Sequence, residues 1–301
     1  MQKFKKLVLA DDTGLLKETI QSLEEYAQTV TVCEGIPSDE EELYERIKDA
    51  DGILLSYKTT LTGKLIKRCP NLKYIGLCCT IVTKESSNVD IVTAEAQGIT
   101  VTGVRDYGDQ GVVDFVIANL LSYLHGWGEK QWKDYKTELT DVPVGIIGFG
   151  VTGQMVCQAL KLLGADVYYY SRTRKPEAEK ECGAVYLELP ELLKKTEIIT
   201  MHLPKFTSAM GQEEFELFGS GKILINTSLG PVFDVDAMER WLSDSSNTYI
   251  CDQCGMGEWK EKFNGDNVIF LDQVCAKTLQ LEQRLSEKAR NNVKNYKENI
   301  E

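Results

Sequence analysis

Three glycines offer the clearest chemistry in this sequence of 301 residues. Gly148, Gly150 and Gly153 have the spacing G-x-G-x-x-G, directly after the apolar segment "VGII" and just before "QMVCQALKLLG". Such glycines permit a tight turn, let the backbone approach a pyrophosphate, and allow close packing of helix on strand. The following helix N-terminus then offers backbone N–H groups to the anion. These three glycines, together with Val151 and Thr152, are therefore predicted to bind a dinucleotide.

A second group of polar residues follows the next predicted strand, "DVYYY". It lies about 20 residues past the first glycine, where an NAD-specific site places Asp or Glu on the ribose 2′-hydroxyl. This chain instead has Ser171, Arg172, Thr173 and Arg174. A hydroxyl and guanidinium groups can hold a 2′-phosphate, which a carboxylate would repel. We therefore predict NADP(H) in preference to NAD(H), the alternative being a solvated basic turn.

Further candidate residues lie where other predicted strands end. The segment "ILINTSLGPVFD" (223–234) reads as a buried strand that runs into a turn broken by Gly230 and Pro231. Side chains at such strand ends can reach a ligand in an α/β protein. Yet Leu229, at the lip, can neither donate a proton nor pair with an anion. The cofactor contacts expected from these strand ends are His202, Leu203, Pro204, Thr227, Ser228, Leu229 and Asp252.

The overall charge narrows the class of partner. The chain has 34 basic and 46 acidic residues, a formal net charge of −12. This balance argues against general binding to nucleic acid or to a membrane surface. The sequence has no run of about 18 apolar residues, and its first residues reach an acidic pair too soon for a signal peptide. We therefore expect a cytoplasmic protein that acts on a small-molecule substrate.

Nine cysteines, an odd number scattered along the chain, indicate reduced thiols rather than a disulfide framework. Cys251 and Cys254 form a C-x-x-C, which could be redox-active or bind a metal. The two histidines, His125 and His202, do not complete a zinc set with this pair, and no second C-x-x-C is present. We therefore expect no metal and favour the interpretation of small buried hydrophobic side chains.

The segments that must position these residues alternate between strand and helix. In the first hundred residues the patterns predict strands at 6–11, 29–34, 52–57 and 72–79, and helices at 15–27, 38–50, 61–70 and 88–98. The helix at 38–50 is expected to begin with Ser38 as its cap. The later patterns predict helices at 109–126 and 278–300, and strands at 197–203, 222–227, 248–253 and 267–272. This alternation predicts an α/β protein whose parallel sheets are covered by helices on both faces.

The order of these segments resembles the D-isomer-specific 2-hydroxyacid dehydrogenase family across nearly the whole chain. "GIIGFGVTGQ" is similar to the family's cofactor fingerprint, "ILINTSLGPVFDVDAM" to its signature at the fifth cofactor-domain strand, and "YYSRTRK" to its NADP-preferring glyoxylate reductase branch. The resemblance implies a flavodoxin-like substrate domain of residues 1–103 and 277–301, with a Rossmann domain of residues 104–276 inserted in it. It also implies a homodimer built through the Rossmann domains.

Members of that family use an Arg, a Glu and a His for catalysis. The protonated His donates to the ketone oxygen while hydride arrives from the nicotinamide, and the Arg holds the substrate carboxylate. By resemblance these positions fall on Leu229, Gly257 and Gln273, with Glu258 one position on. The family's glycine-rich loop before Asn88 is replaced by "CCTIVTKESS". The ordinary family reaction is therefore not expected.

Two functions fit these observations. The first is an NADP(H)-dependent oxidoreductase with an atypical substrate or mechanism, in which other side chains act as proton donor and anion-binding group. The candidate catalytic residues are Gln273, Lys277, Lys84, Glu258 and Tyr107. A lysine shielded from water can have its pKa lowered and donate a proton, although either lysine could instead be a solvated surface side chain. The second function is a non-catalytic dinucleotide-binding protein with a regulatory or assembly role.

Overall fold

The computed structural model of the protein describes residues 3–81, 83–85, 87–205 and 207–299. The chain divides into two units, which we call unit 1 (Met1–Tyr107 with Thr278–Glu301) and unit 2 (Gly108–Lys277). The predicted loop "CCTIVTKESS" includes Val82 and Ser86, and the predicted last helix includes Ile300; these three residues lie outside the described ranges.

The strands are short and parallel. In chain order they are β1 Phe4–Leu9, β2 Ala27–Val32, β3 Gly52–Leu55, β4 Tyr74–Leu77, β5 Thr100–Thr102, β6 Pro143–Ile147, β7 Asp166–Tyr170, β8 Val185–Tyr186, β9 Ile198–Met201, β10 Ile223–Asn226, β11 Thr248–Asp252 and β12 Val268–Leu271.

The helices alternate with these strands. In chain order they are α1 Lys17–Ser22, α2 Glu40–Ile47, α3 Gly63–Arg68, α4 Ile91–Ala96, α5 Asp109–His125, α6 Val151–Leu162, α7 Pro176–Cys182, α8 Leu189–Lys195, α9 Gln212–Phe218, α10 Val235–Leu242, α11 Gln253–Met256 and α12 Leu279–Glu298. None of the helices in the described ranges combines the length and apolar character needed to cross a membrane.

Unit 1 is a five-stranded parallel sheet in the order β2-β1-β3-β4-β5, which is the flavodoxin-like order. Successive residues of β1 point to opposite faces, so Val8 packs in one core and Leu7 in another. The first core receives side chains of α2, α3 and α4, and the second receives α12 through Leu285 and Val293. The last helix, α12, therefore packs on one face of the sheet that the first hundred residues form.

Unit 2 is a seven-stranded parallel sheet in the order β12-β11-β10-β9-β6-β7-β8. Counted from β6, this is the 3-2-1-4-5-6 order of a Rossmann fold, extended by one strand. Apolar residues of α5 and α6 pack on one face, and those of α8, α9 and α10 pack on the other. The predicted fold class, two parallel α/β sheets of which one is Rossmann-like, is confirmed.

Two predicted details in unit 1 are wrong. Asp39, not Ser38, caps α2: its carboxylate accepts from the N–H of Glu42, while Ser38 donates to the Glu42 side chain. The predicted helix at 15–27 is limited to α1 and a 3-10 turn at Leu23–Glu25, because Leu23 and Tyr26 turn into the core beside Phe4.

Candidate functional site

The three glycines of the fingerprint have three different environments at the end of β6. Gly148 has φ +94°, and a Cβ there would lie 2.8 Å from the carbonyl carbon of His202 and overlap its oxygen. A Cβ on Gly153 would overlap the carbonyl oxygen of Gly148, which shows how closely helix and strand approach. A Cβ on Gly150 would meet nothing within 4 Å. The turn is therefore tight on its protein side and open above Gly150, as a backbone that receives a pyrophosphate requires.

The N-terminus of α6 is the part of this turn that is suited to an anion. The first N–H groups of a 12-residue helix have no partner within the helix, and the helix dipole favours negative charge there. The Thr152 hydroxyl donates to the carboxylate of Asp109, in the first turn of α5, which ties the two helix starts together. Sequence analysis missed Asp109, because its partner lies 43 positions away and no local pattern connects them.

The loop after β7 separates the roles of its two arginines. Arg174 donates from Nε and Nη2 to the Glu179 carboxylate, at 2.8 and 2.9 Å. Arg172 is exposed and forms no ion pair or hydrogen bond with any residue in the described ranges. The Ser171 hydroxyl donates to the carbonyl of Thr173, which closes the turn. The prediction treated both arginines alike, whereas only Arg172 has its charge available for a ligand.

The loops after β9 and β10 are joined through Ser228. The N–H of Leu203 donates to the Ser228 hydroxyl at 3.1 Å, and the N–H of Ser228 donates to the Asn226 side-chain carbonyl at 3.0 Å. Pro204 and Thr227, on the same two loops, are half-buried. The structure thus brings together the residues predicted from "MHLP" and "NTSLG" at one sheet edge.

Asn226 holds the loops at this edge of the sheet, and sequence analysis did not single it out. It is fully buried at the end of β10, and its amide N–H₂ lies 3.3–3.5 Å from the Tyr249 hydroxyl and the carbonyls of Gly230 and Gly255. A Cβ on Gly255 would overlap the Asn226 carbonyl oxygen, so the short helix α11, directly after β11, lies against the end of β10. The available signal was a polar side chain ending an apolar strand, because a buried amide needs partners.

Leu229 follows these fixed residues and is 44% exposed. The next residue, Gly230, has φ +95° and donates its N–H to the Cys254 carbonyl at 3.0 Å. The backbone on both sides of Leu229 is therefore held, while its isobutyl side chain projects from the edge of the sheet. An exposed apolar side chain at this position provides neither charge nor proton.

Asp252 holds backbone at the end of β11. Its carboxylate is buried and accepts N–H groups from Gly255 and Cys275, both at 2.9 Å. The first bond caps α11, and the second fixes the segment after β12. The sequence predicts that Asp252 contacts the cofactor; in the structure its carboxylate holds these two backbone segments.

Three candidate catalytic residues, Glu258, Gln273 and Lys277, belong to unit 2, and all three are exposed. Gln273 accepts the N–H of Gln253 on its backbone carbonyl at 3.0 Å, so it lies beside the end of β11. Its side-chain amide can donate a hydrogen bond to a carbonyl but cannot transfer a proton.

The other two candidates belong to unit 1. Lys84 forms an exposed ion pair with Glu95, so its ammonium already has a partner. Tyr107 packs against the core that contains Phe4, and burial raises the pKa of its hydroxyl. Lys84 is therefore a surface ion pair in this structure, which matches the alternative interpretation given for the lysines.

The C-x-x-C pair does not present a reactive thiol at its first position. Cys251 is fully buried within β11, and burial raises its pKa to about 12. A thiol with so high a pKa carries almost no thiolate at neutral pH, and the thiolate is the form that reacts or binds metal. Cys251 therefore serves as a small core side chain.

His202 leads to a prediction about acid stability. Desolvation lowers its pKa from 6.5 to about 4, and its Nε2 lies 2.9 Å from the Thr200 hydroxyl. Below pH 6.5 this histidine binds a proton in the unfolded chain but stays neutral in the folded chain. The free energy of unfolding therefore falls as the pH drops from about 6.5 to 4. Between pH 7.5 and 5 this histidine is expected to cost about 2 kcal/mol of unfolding free energy.

Urea unfolding of wild type and His202→Gln at pH 7.5 and pH 5 measures that loss. Wild type should lose about 2 kcal/mol more than the variant. His125→Gln, at a half-buried histidine stacked on Trp127, is the control and should follow wild type. An equal loss in wild type and His202→Gln would show that His202 is not kept neutral.

The comparisons with known proteins agree with this geometry. Residues 118–255 match the family model described as "D-isomer specific 2-hydroxyacid dehydrogenase, NAD binding domain". A hydroxypyruvate reductase of Blautia hydrogenotrophica is 31% identical over 258 residues, which cover 79% of this chain and 77% of that protein. A glyoxylate reductase of Thermococcus litoralis is 29% identical over 272 residues, which cover 81% and 80% respectively.

A solved structure supports the fold. An acyclic imino acid reductase in complex with NADPH and D-Arg has a TM-score of 0.80 to this chain at 21% identity, covering 97% of this chain and 96% of that one. With the sequence relatives above, the ordered glycine turn and the Rossmann strand order lead to one assignment. The chain belongs to the D-isomer-specific 2-hydroxyacid dehydrogenase family of oxidoreductases, and unit 2 contains its NAD-binding domain.

Proposed function

We propose that the protein is an oxidoreductase that uses NADP(H) in preference to NAD(H), with a substrate or mechanism atypical of its family. The observation that carries the cofactor preference is Arg172, an exposed guanidinium with no ion-pair partner among the described residues, in the loop directly after β7. The Asp or Glu that would bind a ribose 2′-hydroxyl is replaced there by Ser171.

The residues present fit a dinucleotide. The open space above Gly150 and the N-terminus of α6 would receive the pyrophosphate. Arg172 would hold the 2′-phosphate, since a guanidinium donates paired N–H groups to phosphate, and the Ser171 hydroxyl would rotate away from the Thr173 carbonyl to donate to it. When bound, the nicotinamide supplies hydride transfer. The chain's own task is then to bind the substrate beside it and to stabilise charge on the reacting group.

The cofactor preference gives a direct test. NADPH should bind at least about tenfold more tightly than NADH, a difference of about 1.4 kcal/mol, as measured by fluorescence titration. Arg172→Gln should remove most of this difference and leave NADH affinity within about twofold, because the charge acts only on the 2′-phosphate. Lys161→Gln, at the far end of α6, is the control and should leave both affinities unchanged. Equal affinities in wild type would contradict the preference.

The proposal of an atypical reaction rests on three positions. By resemblance, Leu229, Gly257 and Gln273 occupy the family's Arg, Glu and His positions, and none of them can carry a positive charge or transfer a proton at neutral pH. Gln273 can orient a carbonyl by hydrogen bonding, and Lys277 is an exposed ammonium four residues later. We propose these two as the groups that act on the substrate in unit 2.

The alternative function is a non-catalytic dinucleotide-binding protein, and the same three positions favour it. Two experiments together separate the two functions: a screen of carbonyl and imine substrates with NADPH, and a crystal structure of the protein soaked in NADPH. If the protein turns over any substrate, and Gln273→Ala lowers that turnover, the result supports the function as an enzyme. Tight NADPH binding without turnover across the screen supports the alternative. The cytoplasmic homodimer expected from the sequence is also part of this proposal, and light scattering tests the dimer.

A further inference from the structure

Glu179 lies at the centre of a small network beneath the loop that follows β7. Its carboxylate accepts two bonds from Arg174, at 2.8 and 2.9 Å, and one from the Tyr169 hydroxyl at 2.7 Å. The same hydroxyl accepts the N–H of Lys175 at 2.9 Å. Tyr169 is itself fixed, since its ring is fully buried and stacks on Phe149 with centroids 3.9 Å apart. The loop is therefore held from below by a buried phenol and one carboxylate.

The two ends of the ion pair differ in exposure. The Glu179 side chain is 14% exposed, whereas that of Arg174 is 61% exposed and lies 5.6 Å from the Tyr186 ring centroid. The hydrogen bonds from Arg174 and Tyr169 lower the pKa of Glu179 to about 2, so the carboxylate is charged at all physiological pH values. Arg174 thus faces solvent with its positive charge compensated by a permanent negative one.

We infer that Glu179 is a positioning residue that limits the cofactor's 2′-phosphate to one uncompensated arginine, Arg172, by neutralising Arg174. The inference rests on the proposed NADP(H) preference and adds a residue that no local pattern in the sequence marks. The Glu179 carboxylate is a negative charge close to the loop after β7. It accepts from two of the N–H groups through which Arg174 could bind phosphate. Glu179 therefore orders the loop and moderates the discrimination between NADPH and NADH.

The expected result follows from the charge. Glu179→Gln keeps an oxygen that can accept from Tyr169 and Arg174, so the loop should keep its shape while the guanidinium charge is released. NADPH affinity should then rise about threefold, the size of effect that one added charge has at a solvated site. NADH affinity should stay within about twofold, because NADH has no 2′-phosphate. Fluorescence titration of both cofactors measures the ratio, independently of any turnover.

A double-mutant cycle shows whether Arg174 carries the effect. Arg174→Gln alone should change NADPH affinity by less than about twofold, since its charge is already compensated. In the Glu179→Gln background the same substitution should remove the whole gain. Glu179→Asp retains the charge and should keep the NADPH to NADH ratio near that of wild type.

Glu177→Gln is the matched control, because it removes an equal charge from an exposed position on the same helix. Its ratio should equal that of wild type. The inference is overturned if Glu179→Gln leaves the ratio unchanged, if it weakens both cofactors together, or if Glu177→Gln has the same effect. A wild type that binds both cofactors equally would contradict the proposed function, whereas a selective gain for NADPH in Glu179→Gln would still support the role of Glu179.

Discussion

Gly148→Ala is expected to abolish measurable dinucleotide binding and to destabilise unit 2. The new Cβ would overlap the carbonyl of His202, which is backbone and cannot rotate away, at a residue whose φ of +94° disfavours any L side chain. Overlap of this kind with a strained backbone costs about 3 kcal/mol or more. NADPH affinity should fall at least about 100-fold, because the turn that meets the pyrophosphate must shift. The melting temperature should fall by roughly 6–12 °C.

Gly150→Ala separates binding from folding and is the matched control. Its Cβ would meet no protein atom within 4 Å, so the melting temperature should stay within about 1 °C of wild type. The methyl group would still project into the space above the turn, and NADPH affinity should fall about tenfold or more. Calorimetry and fluorescence titration of both variants provide the comparison. Full NADPH affinity in Gly150→Ala would place the pyrophosphate elsewhere.

The second large effect concerns the family's usual substrates. By resemblance, Leu229 and Gln273 occupy the family's Arg and His positions. On this proposed assignment, kcat/KM for glyoxylate, pyruvate and hydroxypyruvate should lie at least about 100-fold below that of a standard family enzyme. General acid catalysis alone contributes about 10²–10⁴-fold, and the proposed assignment also places no Arg where the family binds the substrate carboxylate. The hydroxypyruvate reductase of Blautia hydrogenotrophica, assayed alongside, provides the reference. Turnover comparable to that reference would show that the assignment of these positions is wrong.

Variants at the same positions show whether activity was lost or redirected. If it was lost, Leu229→Arg with Gln273→His should restore some reduction of glyoxylate. If it was redirected, Leu229→Arg should instead abolish the protein's own activity without any gain on glyoxylate. No effect on any activity would place Leu229 outside the site. Full restoration is not expected, since Gly257, which by resemblance holds the family's Glu position, has φ +56° and strains a side chain placed there.

The elements were predictable where one periodic pattern dominated. Strands β9, β10 and β11 are short, fully buried and mostly apolar, and each lies within its predicted range. The error at α2 arose because Ser38 and Asp39 are both good caps, and only the geometry of Glu42 decides between them. The error at α1 arose because an amphipathic pattern does not reveal where tertiary packing of Leu23 will tighten the chain.

The candidate site was predictable as far as its local motifs reach. The glycine spacing marked the turn after β6, and the residues after β7 marked the loop with Arg172. The ion pair of Arg174 with Glu179 depends on how α7 leaves that loop, which no residue spacing encodes. The bond between Thr152 and Asp109 likewise joins the starts of two helices that meet only in the folded unit.

The hydrogen bonds around Leu229 fix the course of its loop without depending on which side chain position 229 carries. Asn226, Ser228 and Gly230 fix the course of the loop through backbone groups and through their own side chains, and no bond among them uses the side chain at position 229. A substitution at 229 therefore alters what this edge of the sheet exposes without disturbing the hydrogen bonds that hold the loop. In the proposed site, a loop held in this way tolerates substitution at position 229, so new substrate preferences can evolve one side chain at a time while the glycine turn is retained.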